Sequence, residues 1–146
     1  MPTSLSVKFA GATLSNPVIL ASATPGWDGK HLRQALAAGA GAVVSKTIGP
    51  PVEWAAHPRN GRLHLVKLGN KRIGMINLEL FTTKGVDDWL QRELAIAKQG
   101  GGRVIASVLA LPEPEDTVSL AAQVEATGLV DLLELNVSCP MPAGIV

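Results

Sequence analysis

The sequence has few aromatic residues: three Trp, two Phe and no Tyr among 146 residues. Single-stranded nucleic acids stack on aromatic side chains and bind basic surfaces, and the net charge is only +1, so we predict no nucleic-acid partner. No apolar run approaches the roughly 20 residues of a membrane helix. Residues 1–9 lack the basic start and apolar centre of a signal peptide. We therefore predict a cytoplasmic protein without a membrane partner.

Cysteine and histidine are also scarce. The single cysteine excludes an internal disulfide, which agrees with a reducing compartment. Three scattered histidines and that cysteine do not have the spacing of zinc ligands, so no metal site is predicted. Apolar sequence is plentiful instead, because 47% of the residues are hydrophobic and 17% are charged. This composition is typical of a globular chain with a buried core.

Apolar runs of strand length alternate with segments of helical spacing. Core strands are predicted at residues 18–21, 42–45, 103–109 and 131–137. Helices separate them, the first capped by Asp28 and ended at Gly39. A hairpin made by residues 5–9 and 12–14 precedes them. This alternation predicts an α/β fold with a parallel sheet.

Residues 49–71 interrupt the alternation with three prolines and an Asn-Gly pair. We predict a long functional loop that carries a minor hairpin around Gly69 and Asn70. Residues 74–80 follow as a separate short strand or extended segment, with Asn77 and Glu79 as its polar groups.

Polar residues abruptly follow two of the predicted strands. Lys46 and Thr47 end the second strand, and the last strand, predicted to be buried, runs into Asn136, Ser138 and Cys139. Parallel α/β proteins place their chemistry at the carboxyl ends of strands. We therefore predict one wall of an active site at this end of the sheet.

Cys139 is the sharpest catalytic candidate. In a loop at the catalytic face, it could give or take a proton opposite a hydride acceptor. A lone cysteine is more often a small buried apolar residue. The amide and hydroxyl before it and the proline after it favour proton transfer.

Lys46 leaves several interpretations open. It could pair with an electron-rich cofactor ring, form a Schiff base as in aldolase-like barrels, or lie at a strand end with its ammonium in solvent. Asn77 and Asn136 each offer a donor and an acceptor, which suits a planar ring with alternating N–H and C=O groups. Either asparagine alone would equally suit a turn or a cap.

These residues together resemble the dihydroorotate dehydrogenase superfamily of FMN-dependent barrels. The motifs are N-P-V at 16–18, S-K-T at 45–47 and, most specifically, E-L-N-V-S-C-P at 134–140. Within the superfamily, L-A-S-A at 20–23 and N-L-E-L at 77–80 are more similar to the pyrimidine-reducing domain of dihydropyrimidine dehydrogenase. Met141 departs from the family, which often has Asn there. The resemblance spans nearly the whole chain but only the first half of the family's barrel.

The resemblance implies the N-terminal half of a (β/α)8 TIM barrel with an N-terminal β-hairpin. Residues 1–146 would form a partial FMN-binding domain with about the first four strands. The implied FMN contacts are Ser22, Lys46 and Thr47. The implied contacts to the pyrimidine substrate are Asn77, Asn136 and Ser138.

The implied reaction moves a hydride between flavin N5 and a ring carbon, with Cys139 as the acid/base. The substrate is a pyrimidine or dihydropyrimidine, with dihydroorotate as the alternative. An iron–sulfur or NAD(P)H electron-transfer partner would lie on another chain, and an oligomer is expected. A non-catalytic half-barrel that assembles with another chain and a Schiff-base enzyme at Lys46 stay open as other classes.

Overall fold

The computed structural model describes residues 4–50, 62–78, 82 and 84–137. Its strands are β1 Val7–Phe9, β2 Ala12–Leu14, β3 Ile19–Leu20, β4 Ala42–Val44, β5 Arg62–Leu68, β6 Lys71–Leu78, β7 Arg103–Leu109 and β8 Leu132–Asn136. Its helices are α1 Gly29–Ala37, α2 Val86–Asp88, α3 Leu94–Lys98 and α4 Pro114–Ala126, with a 3₁₀ turn at Thr24–Gly26 and a π-helical turn at Trp89–Glu93. None of the helices in these ranges is long and apolar enough to cross a membrane.

Four parallel strands form the central sheet in the order β3, β4, β7, β8. Val43 pairs with Leu20 on one side and with Val104 on the other, and Ile105 pairs with Leu132. Helices connect β3 to β4 and β7 to β8, because parallel neighbours need a crossover. The predicted α/β fold with a parallel sheet is therefore confirmed.

The larger core lies between one face of the sheet and the helices. Alternate residues of β7, among them Val104 and Ala106, pack with Val43 against the helical layer. Trp89 of the π-helical turn is fully buried there, together with Leu32 of α1. This layer holds the sheet from one side.

The opposite face of the sheet carries a smaller apolar cluster. Ala42, Val44 and Ile105 are buried there under Leu14, which comes from the antiparallel hairpin of β1 and β2. A cavity of about 330 Å³ adjoins this face. Its walls are Phe9, Ala10, Ile19, Ala21, Val44, Ile105, Leu132, Leu133 and Glu134. The sheet is thus apolar on both faces, although the described helices cover only one.

Helix α1 begins and ends as its sequence predicts. The Asp28 carboxylate accepts a hydrogen bond from the His31 N–H at 2.9 Å, which satisfies a backbone donor of the first turn. Gly39 follows the helix with φ +102°, a conformation that residues with a side chain rarely adopt. Both predicted boundary residues are confirmed.

A buried carboxylate joins α1 to the π-helical turn. Glu93 accepts hydrogen bonds from the Gly29 N–H at 2.8 Å and from Lys84 Nζ at 2.9 Å. Burial disfavours its ionised form, but the hydrogen bonds from Lys84, Gly29 and Arg92 outweigh burial, so the pKa of Glu93 lies below its usual value. A Cβ at Gly29 would overlap the backbone carbonyl oxygen of Glu93, so glycine is required there.

A second acidic group fastens the amino-terminal edge of the sheet. Asp131, just before β8, accepts the Val104 N–H at 2.9 Å and pairs with Lys98 at 2.5 Å and Arg103 at 2.6 Å. Burial opposes its charge, but these partners hold the pKa of Asp131 below its usual value. This network lies opposite the carboxyl ends of the strands and serves stability.

Three predicted elements differ in the structure. The strand predicted at 18–21 is only Ile19–Leu20, since Val18 is exposed before pairing begins. Residues 62–78 form one antiparallel hairpin, because Gly74 stays in the ladder opposite Val66 and does not start a separate strand. The predicted burial of the last strand is wrong: most of β8 is exposed, because β8 is an edge of the described sheet.

Candidate functional site

Polar residues of three neighbouring strand segments lie close together near the carboxyl ends of the central sheet. Lys46 and Thr47 follow β4, Ser107 lies in β7, and Asn136 ends β8. Because β7 pairs with both β4 and β8, these residues form a row across the sheet. The row lies at the carboxyl ends of the strands, where α/β proteins hold ligands.

Hydrogen bonds join the side chains of the row. Asn136 Nδ2 donates to Thr47 Oγ1 at 2.9 Å, and Thr47 Oγ1 lies 3.2 Å from Ser107 Oγ. Thr47 and Ser107 are buried and Asn136 is half-buried. The Thr47 hydroxyl therefore fixes the orientation of an amide that has both a donor and an acceptor.

A β-bulge turns Thr47 toward this row. Val44 pairs with Ile105, and the next bridge joins Ile48 to Val108. The chain after β4 therefore advances four residues between these two pairs, while β7 advances three. The extra residue shifts the alternation of side chains, and Ile48 enters the helix-side core with Val108. Ser45 supports the bulge, because its Oγ accepts the Ser107 N–H at 3.0 Å.

Lys46 is a buried cation beside an aromatic ring. Its side chain is only 6% exposed, and Nζ lies 5.8 Å from the centroid of the Trp27 ring. Trp27 belongs to the loop after β3, which also contains the half-buried Ser22. A cation, a hydroxyl, an amide and a loop of small residues suit a planar ligand with polar edges.

The structure describes some of the predicted site residues and not others. It joins Thr47 to Asn136, places Lys46 beside Thr47 in the chain, and places Ser22 after the neighbouring strand β3. Asn77 lies in β6, where only its backbone is described. Ser138 and Cys139 lie outside the described residues, so their predicted roles stay predictions.

Sequence reasoning gave no role to three residues that shape this site, although Ser45 lies in the S-K-T motif. Ser45 directly follows β4 and Ser107 lies within β7, and in such apolar runs a single serine resembles a small core residue. Their polarity in a buried run was the available signal, since buried hydroxyls need partners. Trp27 directly follows the small residues of the loop after β3 and could have been proposed as its wall.

Comparison with known proteins gives a consistent picture. The family described as dihydroorotate dehydrogenase matches residues 4–145. A dihydroorotate dehydrogenase B (NAD(+)) catalytic subunit of Thermoplasma acidophilum is 35% identical over 142 residues, covering 96% of this chain and 43% of that protein. The corresponding subunit of Methanocella arvoryzae is 36% identical over 134 residues, covering 92% and 40%.

A second kind of relative is a chloroplastic dihydropyrimidine dehydrogenase (NADP(+)) of Arabidopsis thaliana. It is 32% identical over 142 residues, covering 93% of this chain and 33% of that protein. The chain thus spans between a third and a little over two fifths of the length of these relatives.

Proposed function

The chain belongs to the dihydroorotate dehydrogenase family, and on this premise we propose that it forms part of an oxidoreductase acting on the CH–CH bond of a pyrimidine or dihydropyrimidine ring. The observation that carries the proposal is the hydrogen-bonded row of Thr47, Ser107 and Asn136, which crosses the sheet near the carboxyl ends of its strands. Such a row presents oriented amide and hydroxyl groups, which suit a ring that carries both N–H and C=O groups.

We propose further that residues 1–146 are the first half of a (β/α)8 barrel. In a doubly wound sheet helices cover both faces, whereas here the described helices pack on one face. The other face presents Ile19, Val44, Ile105 and Leu132, one apolar residue from each parallel strand. A barrel interior is filled by such inward-facing apolar residues. The hairpin of β1 and β2 would close the amino-terminal end of that interior.

The donor set around β4 fits FMN. Lys46 would place its ammonium against the electron-rich flavin ring, and Thr47 and Ser22 would hydrogen-bond its polar edge. The burial of Lys46 beside Trp27 supports a water-poor place for such a ring. Bound FMN would supply the two-electron chemistry that amino-acid side chains cannot perform.

The substrate side would be formed by Asn136, Asn77 and Ser138. Asn136 would hold the pyrimidine ring in place, because Thr47 already fixes its amide. Fixing a ring at reactive distance can lower the barrier substantially. Cys139 would give or take the proton at the ring carbon next to the reacting one.

Two experiments test the cofactor and the reaction separately. In the first, the 146-residue chain is titrated with FMN and followed by flavin fluorescence. We expect weak or no binding, because barrels of this kind hold phosphate at loops after strands seven and eight. Stoichiometric FMN on the purified chain would contradict this expectation.

In the second experiment, a polypeptide that joins this chain to the remaining barrel strands is loaded with FMN. Flavin absorbance is followed without oxygen after adding dihydrouracil or dihydroorotate. Bleaching by either substrate supports the proposed class, and Cys139→Ala should slow it while FMN stays bound. No bleaching by either substrate would overturn the proposed reaction.

The names of the relatives support two different substrates. Relatives named dihydroorotate dehydrogenase B favour dihydroorotate, and the dihydropyrimidine dehydrogenase relative favours dihydrouracil. The name "catalytic subunit" supports our proposal that electrons pass to or from a partner on another chain. A Schiff base at Lys46 is the weaker candidate, and borohydride trapping of a carbonyl compound on Lys46 would favour it.

A further inference from the structure

The hairpin of β5 and β6 exposes an unusual amount of apolar surface. It forms a two-stranded sheet of its own, with no third strand among the described residues. Five of its large apolar residues are 45–73% exposed. They are Leu65, Leu68, Ile73, Met75 and Ile76. Leu65 and Met75 lie on one face of the hairpin and Ile76 lies on the other. Exposed apolar residues of this kind can mark sites of interaction.

The same hairpin concentrates positive charge. Residues 62–78 include Arg62, Lys67, Lys71 and Arg72 but no aspartate or glutamate. The rest of the chain therefore holds nine basic and twelve acidic residues, a net charge of −3. The side chains of Lys67, Lys71 and Arg72 are exposed. The near-neutral total charge is thus the sum of a basic hairpin and an acidic remainder of the chain.

The strand register places apolar and basic side chains on one face. Leu65 lies opposite Met75, and Lys67 lies opposite Arg72. Leu65 and Lys67 are two residues apart on β5, so their side chains lie on the same face. The bulge at Ile73 keeps Met75 and Arg72 on that face as well. This face therefore combines an apolar pair with a basic pair beyond it.

The edges of the hairpin are suited to strand addition. Within the described residues, the outer edges of β5 and β6 pair with no other strand. Unpaired backbone groups on such an edge can bind an extended segment, and alternate side chains then contact one face. A second copy is disfavoured as the added strand, because it would bring two basic hairpins together.

We propose that the β5–β6 hairpin is a docking site for an acidic segment of another protein, which adds to it as a strand. Carboxylates of the segment pair with Lys67 and Arg72, and its apolar residues cover Leu65 and Met75. The charge of the hairpin selects this occupant, since all four of its charged side chains are cations.

A labelled peptide of alternating glutamate and valine residues tests the proposal by fluorescence anisotropy. We expect saturable binding to the 146-residue chain that weakens as salt rises. Combining Lys67→Glu with Arg72→Glu should weaken binding by about tenfold or more. Combining Lys8→Glu with Lys30→Glu makes the same charge change at exposed positions elsewhere and should leave binding unchanged.

Hydrogen exchange gives a second measurement that does not depend on charge variants. Backbone amides of β5 or β6 should gain protection when the peptide binds. The proposal is overturned if the peptide does not bind, or if the control variant loses as much affinity for it as the hairpin variant. It is also overturned if only amides outside β5 and β6 gain protection from exchange. Tighter binding to phosphatidylserine vesicles or duplex DNA than to the peptide would overturn it as well.

Discussion

Thr47 joins three strands through one hydroxyl group. Asn136 donates to it, and it shares a second hydrogen bond with the fully buried Ser107. Thr47→Val keeps the shape of the side chain but removes both hydrogen bonds. Because a buried polar group is then left unsatisfied, we expect a loss of about 1–3 kcal/mol in the free energy of unfolding, measured with urea.

Thr13→Val is the matched control for this change. Thr13 is exposed in β2, so its hydroxyl stays in water and the free energy of unfolding should change by no more than about 0.5 kcal/mol. Equal effects of the two variants would show that the Thr47 bonds do not contribute to stability.

Gly29 tests the contact between α1 and the π-helical turn. Gly29→Ala places a methyl group into the backbone carbonyl of Glu93, which cannot move without shifting the turn. Overpacking of this kind costs about 1–3 kcal/mol, so we expect a clearly lower midpoint of thermal unfolding. Gly74→Ala in β6 is the control, because its Cβ would meet no atom within 4 Å. A Gly29→Ala protein as stable as Gly74→Ala would contradict this geometry.

The sequence allowed some site residues to be predicted and hid others. Lys46, Thr47 and Asn136 could be predicted because each interrupts an apolar run at a strand end. Ser45 and Ser107 could not, because their roles depend on which residues face each other across β4 and β7. A bulge of one residue decides that pairing, and it leaves no periodic signal in either strand.

Among the elements, the helices were predictable because their ends carry local signals. Asp28 and Gly39 mark the start and the end of α1 through a hydrogen bond and a positive φ, and Asp88 accepts the Gly85 N–H at the start of α2. The π-helical turn at Trp89–Glu93 was not predicted, since its extra residue is stabilised by tertiary contacts of Trp89 and Glu93. The exposure of β8 was also not predictable, because burial depends on neighbouring elements and not on the strand itself.

The junction of α1 and the π-helical turn should respond to acid. The pKa of Glu93 is lowered in the folded protein, so its carboxylate contributes stability that is fully present above the ordinary pKa of a glutamate. This contribution declines as the pH falls through the lower folded-state pKa. We expect Glu93→Gln to reduce stability at neutral pH and to reduce the loss seen on acidification. Urea unfolding of both proteins between neutral and acidic pH measures the difference.

Glu125→Gln provides the control for this pH dependence. Glu125 is exposed on α4, so its substitution should leave the pH profile of stability unchanged. If Glu93→Gln gives the same profile as the wild-type protein, the Glu93 carboxylate does not contribute to the pH dependence.

For the whole molecule, two surfaces of the central sheet are left open by the described elements. The face opposite the helices borders an apolar cavity. On the helix side of the sheet, β8 exposes Leu133 and Leu135. A complete barrel would cover both surfaces, which agrees with the proposal that this chain forms one half of it. The basic hairpin of β5 and β6 is a separate surface, because its charge favours a different partner.

These open surfaces predict that the 146-residue chain self-associates through β8. Within the described residues the outer edge of β8 pairs with no other strand, and this edge with the exposed Leu133 and Leu135 forms a template for pairing with a second copy. We expect sedimentation velocity to show a weight-average mass that rises with concentration. Replacing both leucines by lysine should shift the chain toward monomer, because charge on an edge strand opposes pairing.

A double substitution on α4 is the control for this association. Val118 and Ala122 are both exposed on that helix, so Val118→Lys with Ala122→Lys adds the same charge away from β8. The control should associate like the wild-type chain if β8 is the contact. A monomer at all concentrations would refute self-association and the idea of a half-barrel that assembles with itself. If substitutions in the β5–β6 hairpin abolish association and those in β8 do not, the contact lies in that hairpin. That result would contradict the charge argument for an acidic partner.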